Sequence, residues 1–118
     1  MYAVEQYARA HIVTDTNDSF DDEHPAVPVA LRYDPEDDPR RVHMTLPGPH
    51  EWVFSRELLE KGLRGPVSSG EVSVWPCGRV QAIVEFHSSQ GVAVVQFDSK
   101  TLIRFLRRTY MAAAPVAR

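Results

Sequence analysis

Val29-Ala30-Leu31-Arg32-Tyr33 is followed by Asp34-Pro35-Glu36-Asp37-Asp38-Pro39 and then by Arg41-Val42-His43-Met44-Thr45-Leu46. In the first run Val29, Leu31 and Tyr33 fall on one side, with Ala30 and Arg32 on the other. In the second, Val42, Met44 and Leu46 alternate with Arg41, His43 and Thr45. Side chains repeat every second residue along a strand, so each run reads as a half-buried strand. Pro35 and Pro39 fix φ, and aspartates bond their own backbone in turns, so the acidic stretch between them reverses the chain. The pattern predicts an antiparallel hairpin.

Outward from the hairpin the chain keeps the same habit. Upstream, Val4, Gln6, Ala8, Ala10 and Ile12 alternate with Glu5, Tyr7, Arg9 and His11, a further strand over 4–13. The intervening 14–23, with Asp15, Asp18, Asp21, Asp22 and Glu23, is loop chemistry, and Pro25 and Pro28 bracket the entry to the hairpin. Downstream, Pro47-Gly48-Pro49 is a turn, and His50 to Phe54 carries Trp52 and Phe54 in an extended run. Ser55 is placed as the N-cap of a short helix over 56–61, with Glu57 near its positive end and Gly62 as its stop. Leu58, Leu59 and Leu63 form its buried side.

Past Gly65-Pro66, Val72 and Val74 alternate up to Trp75-Pro76, and Val80, Ala82, Val84 and Phe86 alternate with Gln81, Ile83, Glu85 and His87. Ser88-Ser89-Gln90-Gly91 is a turn before the apolar run 92–97. Short connections of this kind join antiparallel strands. Asp98 is the expected N-cap of a final helix over 99–112, with Leu102, Ile103, Leu106 and Tyr110 as its apolar stripe and Phe105 and Thr109 at the edge. Arg104, Arg107 and Arg108 are expected late in that helix, where cations complement the dipole, and Pro115 ends it. The reading is an α+β fold of about seven mostly antiparallel strands, a short middle helix and a C-terminal helix.

The chain has 118 residues, 43% of them hydrophobic and 25% charged, which fits one domain over 1–118 with its own core. Acidic residues outnumber basic ones, 16 to 13, for a net charge of −3, so nothing global favours a polyanion partner. Cys77 is the only cysteine, so an intrachain disulfide is excluded, as suits a reducing compartment. The first residues lack the basic start and apolar run of a signal peptide, and no window approaches the roughly 18 apolar residues that span a bilayer. A cytoplasmic protein without direct membrane insertion is expected.

The search for chemistry returns little. His11, His24, His43, His50 and His87 show no metal-ligand spacing, and no base accompanies Cys77. Gly62 and Gly65 lack the Lys-Ser or Lys-Thr of a phosphate loop, and 34–38 lacks the glycine and terminal glutamate of a calcium loop. No catalytic residue, metal or cofactor is therefore expected. Trp52, Phe54 and Trp75 are either core aromatics or stacking platforms for single-stranded nucleic acid. A thin chemical inventory points to a protein that acts by binding.

Four ordered blocks carry a resemblance. They are Val27-Pro28-Val29-Ala30-Leu31-Arg32-Tyr33-Asp34-Pro35, Glu51-Trp52-Val53-Phe54-Ser55-Arg56-Glu57-Leu58-Leu59, Gly70-Glu71-Val72-Ser73-Val74-Trp75-Pro76 and Phe105-Leu106-Arg107-Arg108-Thr109-Tyr110. The chain resembles, over residues 4–116, the SsgA-like sporulation and cell-division proteins of actinomycetes, of the SsgB type or a close relative. That resemblance implies a non-enzymatic regulator of septum-site selection that recruits or stabilises the tubulin-like GTPase FtsZ, directly or through another SsgA-like protein. It implies a fold similar to Whirly-type single-stranded nucleic-acid-binding proteins, assembly as a homotrimer, and a cytoplasmic place at the division septum. The stretch Cys77-Gly78-Arg79 and the tail after Pro115 depart from the family pattern, which leaves the subfamily open. Tyr33, Trp52 and Trp75 are the candidate subunit or partner anchors, because Trp and Tyr dominate binding hot spots. Asp34 and Asp37 on the acidic turn, and Arg104, Arg107 and Arg108 on the last helix, are the candidate charged contacts. Nucleic acid is the alternative partner.

Overall fold

The computed structural model describes residues 3–13, 26–48, 50–89 and 91–113. The readings that fall on 14–25, Pro49, Gln90 and Pro115 lie outside the described residues. Among these residues eight strands and two helices follow in the order β1 (Val4–Ile12), β2 (Ala26–Tyr33), β3 (Arg41–Leu46), β4 (His50–Ser55), α1 (Arg56–Gly62), β5 (Val67–Ser69), β6 (Val72–Cys77), β7 (Gln81–Ser88), β8 (Gly91–Asp98) and α2 (Ser99–Ala113). The strands form one antiparallel sheet in the order β4-β3-β2-β1-β8-β7-β6-β5. The strand beyond the expected seven is β5, whose three residues are too few to display an alternation.

The central hairpin forms as the pattern requires. Leu31 lies opposite Met44, both in the core, and Arg32 lies opposite His43. The turn between them is held internally. The N–H groups of Glu36 and Asp37 donate to Asp34 Oδ1 at 2.9 and 3.1 Å, and the Tyr33 hydroxyl donates to the Pro39 carbonyl at 2.9 Å.

The sheet consists of two meanders, β1 to β4 and β5 to β8, that meet at a narrow seam. Among the described residues His11 pairs with Gln96 and Ile12 with Val95 across it, and the Val13 N–H donates to the Val94 carbonyl at 2.7 Å. The sheet nevertheless encloses one core, because it curls until β4 reaches β7. Trp52 stacks on Phe86 with ring centroids 4.6 Å apart, and Phe54 meets the same ring edge-on at 5.9 Å. Such aromatic pairs are directional as well as apolar, so they fix how far the sheet curls.

The helices close the remaining sides. Ser55 caps α1 as expected, its Oγ accepting the Leu58 N–H at 3.1 Å. Gly62 departs from expectation: it is the last helical residue, not a stop beyond the helix, and Leu63 takes the C-cap with an ordinary right-handed backbone. The reason for glycine is packing. A Cβ here would lie 2.3 Å from the Cβ of Val74 on β6, well inside contact distance.

On α2 the Asp98 carboxylate accepts the Lys100 N–H at 3.2 Å, as an N-cap does. The buried stripe is Leu102, Phe105, Leu106 and Thr109, whereas Ile103 and Tyr110 are each 42% exposed. Both sets satisfy helical spacing, so periodicity alone does not choose between them. Thr109 is tolerated inside because its hydroxyl donates to the Leu106 carbonyl at 2.7 Å. The helix also runs on to Ala113, so none of Arg104, Arg107 or Arg108 lies in its last turn. Complementing the dipole, an effect confined to that turn, does not explain them.

Candidate interaction surface

The outward side of α2 combines charge and apolar area as no other described element does. The helix sequence holds Lys100, Arg104, Arg107 and Arg108 and no acidic residue. All four cations are exposed, and beside them stand Ile103, Tyr110 and Met111, the last 73% exposed. In a chain of net charge −3 this is a local inversion of sign.

Two grooves flank the helix. Toward α1, a groove of about 300 Å³ is lined by Leu63, Arg64, Ile103, Leu106, Arg107 and Tyr110, with Glu60 at its end. Its tyrosine wall is fixed in place. The Tyr110 hydroxyl donates to the Glu60 carboxylate, and the Arg56 guanidinium lies 3.9 Å from the ring centroid. The bond to Glu60, helped by burial, raises the Tyr110 pKa above its ordinary value. Arg56 is itself anchored, donating to the Tyr33 hydroxyl at 3.3 Å and to Thr109 Oγ1 at 3.4 Å.

On the other side of α2 the sheet opens beyond the β1–β8 seam. A groove of about 520 Å³ there brings Tyr7 and Arg9 of β1 to Arg104 and Arg108 of α2. Arg108 donates to Gln6 Oε1 at 3.1 Å, and Gln6 Nε2 donates to the Thr101 carbonyl at 3.2 Å. Tyr7 is 64% exposed at its rim.

The residues singled out from sequence divide sharply. Tyr33 is fully buried and its hydroxyl is engaged by Pro39 and Arg56, so this chain's own core takes it. Asp34 is buried too; the N–H of Asp37, then that of Glu36, holds its carboxyl below the usual carboxylate range. It anchors a turn and presents no charge to a partner. Trp52 is half-buried with one ring face stacked on Phe86, and Phe54 is in the core. Trp75 is different. It lies on the outer face of β6, half-buried, opposite Ile83 of β7. Asp37 is exposed on the turn, but the acidic cluster around it is partly neutralised by Arg41, 3.1 Å from Asp38; His43 lies 3.2 Å from Asp38 and 3.0 Å from Glu51. Arg104, Arg107 and Arg108 are exposed on α2 as expected.

Tyr7, Arg9, Arg64 and Met111 were not anticipated. Their grooves bring together residues far apart in the chain, so no local pattern marks them. The signal that was available is the absence of any acid from 99 to 113. Among the described residues no group of three or more His, Cys, Asp or Glu is arranged to hold a metal ion, and no helix is long and apolar enough to cross a membrane.

Known proteins match this architecture closely. Residues 27–117 match the model of the family described as Streptomyces sporulation and cell division protein, SsgA. The sporulation-specific cell division protein SsgB of Streptomyces coelicolor is 40% identical over 96 residues, 75% of this chain and 69% of that protein. The SsgB of Kineococcus radiotolerans is 37% identical over 97 residues, and there the match spans 58% of the relative's length. A structure solved in work correlating SsgB mutations with longitudinal cell division during sporulation of Streptomyces coelicolor superposes with a TM-score of 0.79 at 34% identity, covering 92% of this chain and 85% of that one. An SsgA-like sporulation-specific cell division protein from Thermobifida fusca superposes with a TM-score of 0.74 at 26% identity, covering 94% and 82%. With the family model matched over most of the chain, and the curled antiparallel sheet and its two helices shared with the solved relatives, this protein belongs to the SsgA family of sporulation and cell-division proteins.

Proposed function

We propose that this protein is a non-enzymatic regulator of sporulation-specific cell division that recruits or stabilises FtsZ at the septum, directly or through another SsgA-like protein. The observation that carries this reading is the acid-free outer face of α2, where Ile103, Tyr110 and Met111 stand exposed among guanidinium groups. Exposed apolar side chains grouped with arginines are typical of binding surfaces, and catalysis has no need of them. The protein works as a homotrimer in the cytoplasm, and the outer face of β6 around the half-buried Trp75 supplies its subunit contact. Co-sedimentation with FtsZ polymers and a septal signal in sporulating hyphae are the expected results. Loss of both with all SsgA-like relatives present rejects the reading, and a monomeric solution mass rejects the trimer.

A second reading has its own observation. Tyr7, Arg9, Arg104 and Arg108 share one groove with a single acid, Asp98, an arrangement that would let a phosphate backbone meet the arginines with a base on the tyrosine. Oligonucleotide binding led by phosphates is strongest at low salt, so no affinity at about 50 mM salt removes it.

A further inference from the structure

We infer that the groove between α1 and α2 is the docking site for an amphipathic helical segment of a partner protein that carries aliphatic anchors and flanking carboxylates. The inference rests on the recruiting role proposed above and gives it a place and a chemistry.

The floor and walls are apolar: Leu63 on one side, Ile103 and Leu106 on the other, with the Tyr110 ring at one end. Its volume of about 300 Å³ is at the lower end of what pockets use, enough for a few side chains and no more. Ile103 with Arg107, and Leu106 with Tyr110, are i,i+4 pairs, so apolar and cationic positions run side by side along α2 as rows. That layout suits a partner helix, whose anchors also recur at i, i+3, i+4 and i+7.

Charge selects the partner's sign. Arg64 stands on one bank and Arg107 on the other, both exposed, and neither has an ion-pair partner among the described residues. The one acid in the lining, Glu60, is engaged by the Tyr110 hydroxyl, and Arg56 covers the same ring. A carboxylate entering between the two exposed guanidinium groups meets opposite charge and N–H donors, whereas a lysine meets like charge. Nucleic acid fits this groove poorly. Its floor is aliphatic, and one face of its only aromatic ring is already occupied by Arg56. The tyrosine wall is held before any partner arrives, which lowers the ordering cost of binding.

The test uses the full chain and fluorescence anisotropy. One labelled peptide has leucines at i, i+3 and i+7 with glutamates flanking them; a second has lysines in place of the glutamates. The glutamate peptide binds and the lysine peptide does not. Arg64→Glu, Arg107→Glu and Ile103→Asp each weaken binding by about tenfold or more, a change that one well-placed contact commonly produces. All three side chains reach solvent, and unchanged melting curves confirm that the variants fold. Arg79→Glu, an exposed charge reversal on the β6–β7 turn outside both grooves, leaves peptide binding intact. Equal loss in that variant, equal binding of the lysine peptide, or a concentration-dependent rise in solution mass abolished by Ile103→Asp (a second copy filling the groove) overturns the inference. Co-sedimentation then separates the two levels. If FtsZ polymers retain Arg107→Glu as well as the unaltered chain, the groove is wrong and the recruiting role stands. If the unaltered chain fails to co-sediment but the peptide pattern holds, the groove stands and the role falls.

Discussion

The two halves of the molecule follow one plan, a four-stranded meander and then a helix, but they put their helices to different use. The helix of the first half, α1, has seven residues, and Leu58, Leu59 and Gly62 press into the core while Glu57 and Lys61 pair with each other in solvent at 3.2 Å. The helix of the second half, α2, has fifteen, and after burying Leu102, Phe105, Leu106 and Thr109 it still presents an outer face. A helix just long enough to close a core reveals little about function, because packing dictates most of its residues. The side that packing does not dictate is where composition carries information, and on α2 that side is cationic and apolar together.

The comparison breaks most severely at Gly62. Glycine to alanine within a helix ordinarily stabilises, by about 0.5–1 kcal/mol. Here the added Cβ would stand 2.3 Å from a fully buried, β-branched Val74, so α1 has to move off β6. We expect Gly62→Ala to destabilise by about 2–3 kcal/mol in urea unfolding, the usual cost of overpacking. Combining it with Val74→Ala restores part of the loss. A stabilised Gly62→Ala variant means that α1 does not seat on the second half as described.

Trp52 tests the other bridge between the halves. Since the seam is narrow, the contacts of Trp52 and Phe54 with Phe86 are what hold β4 to β7, and the Trp52 stack is the closer of the two. Trp52→Ala is expected to cost about 2–3 kcal/mol, below the range for a fully buried tryptophan because this one is half-buried. A double-mutant cycle with Phe86→Leu yields a coupling of about 0.5–1.5 kcal/mol. Coupling near zero means that the Trp52 stack does not hold the two halves together, leaving the seam, Phe54 and the helices to do so.

These two sites also mark how far the sequence was readable. The hairpin, the alternating strands, the Ser55 and Asp98 caps and the family resemblance were all legible, because each depends on residues close together in the chain. Gly62 was misread for a physical reason. Its role depends on Val74, twelve positions on, and a stop signal is the commoner use of glycine at a helix end. Tyr33 stayed open for a related reason: an aromatic on an alternating strand shows that one face is buried, but not whether the cover is this chain or another. The α2 stripe was off by part of a turn, because Ile103 and Tyr110 satisfy the same period as Phe105 and Thr109. What stayed hidden is what the curl of the sheet assembles, namely the grooves on either side of α2.

Arg56 joins the first half to the outer helix, and its removal is expected to have a smaller effect. The guanidinium contacts Tyr33, Thr109 and Tyr110 at once, partly in solvent. Arg56→Ala is expected to cost about 1–2 kcal/mol, in line with a cation–π contact and hydrogen bonds at a half-exposed site. Thr109 keeps its bond to Leu106, which limits the damage. A larger effect on binding the glutamate peptide than on stability is also expected, because Tyr110 loses the group lying over its ring. An unchanged affinity alongside an unchanged Tm implies that the ring is positioned by Glu60 alone.

The smallest effect sharpens the contrast between the hairpin turns of the two halves. In the β7–β8 turn, Ser88 Oγ donates to the Gly91 carbonyl at 3.3 Å, a neutral contact. In the β2–β3 turn the carboxylate of Asp34 gathers the N–H groups of Asp37 and Glu36, which hold its pKa below the ordinary value of 3.8. A carboxyl depressed in the native state stabilises that state at every pH above its unfolded pKa, and the contribution disappears as the pH falls through the native value. Asp34→Asn keeps an oxygen that accepts the same N–H groups but removes the charge. The unaltered chain is therefore more stable than Asp34→Asn at neutral pH, and urea midpoints measured down the acid range converge below the depressed pKa. A Ser88→Ala variant, compared in the same way, keeps a constant offset across that range. If the Asp34→Asn offset is equally flat, the acidic turn is held by its shape and not by its charge, and the two turns differ in sequence only.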